Sequence, residues 1–199
     1  MAIGNPVILG TATVAGSGQT SLAFLTSTSV PAGSLIAVSF AGLSAVSIST
    51  VSSVSDTGIN TYTTAAISGG ALSDKIDVEL WYVANANLVP SSTTMTVNFS
   101  VSVGGGFGAL ISAAYVAGVA TSLPKDQTAT GSVTSASPSV TTGALAQASE
   151  IAIGAAMAGG SVTVTEASVF TSLVNTVTNT YQCVADYSIT STTAAVTYN

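Results

Sequence analysis

The chain has 199 residues, room for one domain of ordinary size, and carries 2 Lys, no Arg, no His and 8 acidic residues, a net charge of −6. Charged residues make up 5%, against about 25% in a typical soluble domain. That balance excludes nucleic-acid binding through phosphate neutralisation, and the missing histidine excludes His-based acid–base chemistry, His–metal sites and Ser-His-Asp hydrolysis.

The opening residues, MAIGNPVILGTATVAG, have no basic segment and no long apolar run, so no secretory signal is expected. Strand signals then follow one another along the chain. Val, Ile and Thr alternate in short runs closed by Gly, Asn, Ser and Pro. The pattern predicts strands near 6–14, 20–28, 34–41, 46–55, 60–67, 76–84, 92–102 and 107–116. A second series is predicted near 126–133, 136–141, 149–157, 161–165, 168–175, 180–189 and 193–198. Turns fall at Gly16-Ser17-Gly18, Pro31-Ala32-Gly33, Asp56-Thr57-Gly58, Gly69-Gly70, Gly104-Gly105-Gly106 and Gly159-Gly160. Helical spacing of apolar residues is almost absent. The longest apolar stretch, 107–120, has 14 residues and is interrupted by Gly108, Ser112 and Gly118, short of the roughly 20 that a spanning helix needs.

Many short strands at regular spacing predict an all-β fold, an antiparallel β-sandwich of Greek-key or jelly-roll type. It is read as a single domain over 1–199, with residues 1–18 as an N-terminal arm. An internal echo suggests two related half-motifs: Ser34-Leu35-Ile36-Ala37-Val38 is similar to Glu150-Ile151-Ala152-Ile153-Gly154, and Ser92–Val97 to Ser191–Val196.

Four segments in order, Asp56-Thr57-Gly58-Ile59-Asn60-Thr61-Tyr62-Thr63, Leu80-Trp81-Tyr82-Val83-Ala84-Asn85-Ala86, Ala114–Ala120 with Pro124-Lys125-Asp126-Gln127, and Ala148–Gly154, carry a resemblance. Their order resembles a β-sandwich module of bacterial secreted and surface proteins and of bacteriophage structural proteins. The likeness spans roughly residues 31–190. Its motifs are turn and core signatures, and it implies a fold without transferring any catalytic residue.

Few groups are candidates for chemistry. Asp56 and Asn60 stand at alternate positions around Gly58, as oxygen ligands of Ca²⁺ would, but the acidic ligand that completes such a loop is missing, and a hairpin turn is the stronger reading. Asp77, Glu79 and Trp81 alternate along one strand and so share a face, opposite Val78, Leu80, Tyr82 and Ala84. The expectation is that the acidic face points outward, where Trp81, Asp77 and Glu79 would contact a glycan or a neighbouring subunit. Burying two carboxylates would cost several kcal/mol unless they were paired. Lys75 and Lys125 sit in polar turn contexts and read as solvated cations. Gly104-Gly105-Gly106-Phe107-Gly108 lacks the lysine and helix of a phosphate cradle. Cys183 is the one cysteine and reads as a small buried hydrophobe.

The function expected from these features is non-enzymatic, with no catalytic, metal or cofactor site. So few charges leave a surface of Ser, Thr, Ala and Val, and uncharged β edges pair readily. The leading expectation is a virion structural protein, a capsid decoration or head-fibre subunit packed against copies of itself, such as a trimer, and against a protein lattice. Neither nucleic acid nor membrane is expected as a partner. The alternatives are an extracellular carbohydrate-binding or adhesive module, and a filament or surface-layer subunit that donates residues 1–14 to a neighbour through a hinge at Gly16-Ser17-Gly18.

Overall fold

The computed structural model describes residues 2–14, 18–43, 51–69, 76–103, 108–133, 135, 137–160, 163–165, 168–178 and 180–199. Among these, thirteen strands and no helix are found: β1 (Val7–Val14), β2 (Gln19–Leu25), β3 (Leu35–Leu43), β4 (Val51–Ser55), β5 (Thr63–Gly69), β6 (Ile76–Val83), β7 (Thr94–Val103), β8 (Ala109–Val116), β9 (Val140–Thr141), β10 (Ile151–Ala158), β11 (Thr171–Thr178), β12 (Tyr181–Ile189) and β13 (Thr197–Tyr198). The fold is all-β, and every pairing is antiparallel.

The first eight strands form two facing sheets, β1-β8-β3-β6-β5 and β2-β7-β4. This is the strand order of a jelly roll, with β5 paired to β6 instead of closing the smaller sheet beside β4. The period of two produces the core directly. Met95, Val97 and Phe99 of β7 point inward between Thr94, Thr96 and Asn98, and meet Ile36, Val38 and Phe40 of β3 and Ile111 of β8. Phe40 and Phe99 stack in a tilted arrangement, their ring centroids 5.0 Å apart.

The second half of the chain adds a third layer. A sheet of order β10-β12-β11 lies on the outer face of the five-stranded sheet, beside a two-stranded β13-β9 ribbon. Its contact is a second apolar cluster, in which Ala41, Leu110 and Cys183 pack with Val78, Met157 and Val174. Strand β3 is therefore covered on both faces, and all nine of its residues are buried. That explains its unbroken Leu35–Leu43 run, which carries no outward polar alternation.

Several expectations need correction. Residues 126–133 form no strand, and 136–141 contains only the two residues of β9. The segment 126–133 has few apolar side chains to bury on a sheet. It is held by single bonds: the Ser68 hydroxyl donates to the Gly131 carbonyl (2.9 Å), and the Ala146 amide donates to Asp126 (2.7 Å). Residues 163–165 are not a strand either, while 161–162 and the 46–50 part of the expected fourth strand lie outside the described residues. The N-terminal arm is not free: β1 pairs along its length with β8 of its own chain, and Gly16 and Ser17 of the expected hinge lie outside the described residues. The two echoing segments occupy unlike places. Ser34–Val38 leads into the central strand β3, whereas Glu150–Gly154 leads into the edge strand β10.

Candidate functional site

The Asp56 turn is a closed hydrogen-bond network. Asp56 accepts from the Asn60 amide (3.3 Å), the Asn60 side-chain nitrogen (2.9 Å) and the Tyr62 hydroxyl (2.5 Å). Asn60 Oδ1 accepts from the Asn87 backbone amide (2.7 Å), and Asn87 Nδ2 donates to the Gly58 carbonyl (2.8 Å). The oxygens that would face an ion are thus engaged by donors of the chain itself, which is the pattern of a braced turn. Burial, then the bond to Asp56 and its charge, push the Tyr62 hydroxyl well above its ordinary pKa.

The acidic face of β6 points the other way from the sequence expectation. Asp77 and Glu79 are both fully buried, at 0% exposure, and Trp81 is half-buried against the jelly-roll core. Leu80 and Tyr82, expected in that core, lie half-buried on the opposite face. The reason is that β6 is covered on both sides. Its Val78 face is needed by the outer layer, so alternation alone does not choose which face turns to the jelly-roll interior.

Glu79 is satisfied there: Oε1 accepts from the Val51 amide (2.6 Å) and Oε2 from the Trp81 indole (2.7 Å). The first of these bonds ties β6 to β4 across the two sheets. Asp77 lies beside it in register with Gly42 and Gly69, and neither of its oxygens has a hydrogen-bond partner. Burial first, then the nearby charge of Glu79, raise Asp77 to about 8. Glu79 is a structural clasp, and neither buried carboxylate is presented to a surface ligand.

Other candidates are quiet. Cys183 is buried, and burial lifts its thiol to about 11 against a weaker lowering by the Thr178 hydroxyl, so it stays a thiol. Lys125 is exposed; Lys75 and the Gly104–Phe107 turn lie outside the described residues. Among the described residues no group of three or more His, Cys, Asp or Glu side chains gathers around a point. No helix there is long and apolar enough to cross a membrane.

A concavity lies between the layers. A groove of about 1180 Å³ is walled by Ala66 of β5, Val78, Leu80 and Tyr82 of β6, the irregular segment 124–133, and β10 along its whole length. All eight β10 residues are half-buried. On one face Met157 reaches the second apolar cluster. On the other, Gly154 lies under the Tyr198 ring so closely that an added Cβ would stand 2.7 Å from it. That ring is fixed by an edge-on contact with Phe170 and by donation from its hydroxyl to Asp186 (2.7 Å).

Comparison with known protein families, curated proteins and solved structures finds no match for this chain. Sequence reading missed the groove and β10 as its border. The available signal was Ile151-Ala152-Ile153-Gly154-Ala155-Ala156-Met157-Ala158 itself, small and uncharged on both faces, as a strand covered from both sides requires.

Proposed function

We propose that the protein is a non-enzymatic structural subunit of a virion, a capsid decoration or head-fibre component that packs against copies of itself and a protein shell. The observation that carries this reading is the near-absence of surface charge. Of ten charged residues, Asp77, Glu79 and Asp186 are fully buried, which leaves at most seven for a surface of 8990 Å². Such a surface offers little repulsion between copies and little for a charged substrate to grip. The jelly roll supports the reading by fold-level analogy, since viral capsid domains use it, as do lectins. Reinforcement of a shell then works by burying apolar and hydroxyl surface, with no bond chemistry.

The test is the mass of the purified chain in solution at low and high ionic strength, followed by binding to empty capsids and to a glycan array. Self-association or capsid binding that survives high salt supports the proposal, because burial of uncharged area is insensitive to screening. A monomer that ignores capsids and binds one glycan overturns it in favour of an adhesive module.

A further inference from the structure

The three larger sheets have six edge strands: β1 and β5, β2 and β4, and β10 and β11. Five of them are interrupted where they pair. Register shifts occur at Ile8/Gly10 in β1, Thr64/Ala66 in β5, Gln19/Ser21 in β2, Val51/Ser53 in β4 and Ser172/Val174 in β11. Bulges of this kind twist an edge and spoil it as a template for another chain. Only β10 runs without a break, Ile151 to Ala158 against Ile189 to Gln182, and it contains no charge and no proline. Among the described residues it is the one edge strand of these three sheets that pairs without a register shift.

The hydrogen-bond phase of β10 identifies its free groups. The Thr190 amide donates to the Glu150 carbonyl (2.8 Å), so Glu150 faces β12, and with it Ala152, Gly154, Ala156 and Ala158. The amides and carbonyls of Ile151, Ile153, Ala155 and Met157 then point away from β12, and none of them has a partner among the described residues. Half-buried backbone groups without partners are costly. A groove of about 1180 Å³ runs beside β10 along its whole length.

We infer that β10 is a strand-addition interface and that its occupant is β10 of a second copy, paired antiparallel about a twofold axis to join two three-stranded sheets into one of six. An antiparallel pair of identical strands is self-complementary. The lack of charge along β10 means that two copies meet without repulsion and that no oppositely charged foreign strand is selected. This rests on the assembled-subunit reading and names the surface through which assembly begins.

The experiment combines light scattering with amide hydrogen exchange on the full chain and on Ala155→Pro. Proline at that position deletes one outward N–H and leaves the bonds to β12 in place, a substitution that edge strands accept. The expected result is a wild-type dimer, or a multiple of it, in which the Ile151, Ile153, Ala155 and Met157 amides exchange at least about 100-fold more slowly than in a monomeric, folded Ala155→Pro chain. Should the proline variant misfold, dilution of the wild type below its dissociation range must release the same four amides. An oligomer whose four amides exchange fast overturns the β10 interface and leaves the assembled-subunit reading standing. A wild-type monomer that still binds capsids does the same. A monomer with protected amides overturns it differently, by showing that the chain's own 126–133 segment closes the edge.

Discussion

Residues 2–116 and residues 140–199 bury the same kinds of side chain, yet only the first set finishes the task. The jelly-roll half encloses a core in which Phe40, Leu9, Ile36, Met95 and Ile111 are almost fully hidden, and every one of its edge strands is bulged. The outer layer contributes a small cluster around Cys183 and leaves β10 half-buried along its whole length. The contrast teaches that one chain closes its surface unevenly. A closed core tolerates interrupted edges because its energy comes from area removed from water, whereas the outer layer leaves an unbroken strand beside an open groove.

The sharpest way to break this contrast is truncation in each region. Phe40→Ala should cost about 3–5 kcal/mol, as for a fully buried aromatic, and Met157→Ala in the half-covered layer only about 1 kcal/mol. Denaturant titration of both variants checks it, and equal costs would refute the division. Core truncation should also leave any solution oligomer of the surviving folded fraction unchanged.

Next in size are two substitutions two residues apart on β6, which should act with opposite signs. Glu79→Gln turns an N–H₂ group toward either the Trp81 indole or the Val51 amide and should destabilise by about 1–3 kcal/mol. Asp77→Asn removes an acid that burial and Glu79 disfavour as an anion, and should stabilise at pH 8. The sign follows from linkage. Unfolded chains release the Asp77 proton near its ordinary value of 3.8, while the folded protein holds it to about 8. Between these values the unfolded state binds fewer protons, so native stability should be full at low pH, fall as pH rises through that window, and level off above it. Unfolding curves at pH 5 and pH 8 should show this fall in wild type and its reduction in Asp77→Asn.

A smaller effect reads the outer layer alone. Because Cys183 is buried with its thiol raised to about 11, a disulfide reagent at pH 8 should label it at least about tenfold more slowly than in the unfolded chain. Mild destabilisation of the outer layer by Met157→Ala should speed labelling more than Phe40→Ala does at equal global stability. The smallest expected effect lies at the braced turn, where Ile59 is 87% exposed at φ 53°. A β-branched residue resists that left-handed conformation, so Ile59→Asn should stabilise by about 0.5–1 kcal/mol in thermal unfolding.

Local chemistry was legible in advance for the strands 6–14, 34–41, 76–84, 92–102 and 180–189, each of which the structure places within a few residues. There the alternation of Val, Ile and Thr meets a neighbour able to use it. The turn at Asp56-Thr57-Gly58 was legible for the same reason: Asp56 and Asn60 bond groups within a few residues of themselves. Reading failed at Asp77 and Glu79 because a carboxylate is expected outside unless a donor inside meets it, and for Glu79 one such donor, the Val51 amide, comes from a strand of the facing sheet, which is a tertiary fact.

By itself, then, the order of residues determined the all-β class, an antiparallel sandwich of Greek-key or jelly-roll type, the sparse charge and the buried thiol. These follow from backbone preference and from water's exclusion of apolar surface, both of which act residue by residue. Only the tertiary structure decided that a third layer covers β3 and β6, which face of β6 turns inward, and which edge strand pairs without a break beside a groove. Those outcomes depend on how far apart in the chain the packing partners lie, and a period of two repeats identically on either side of a sheet.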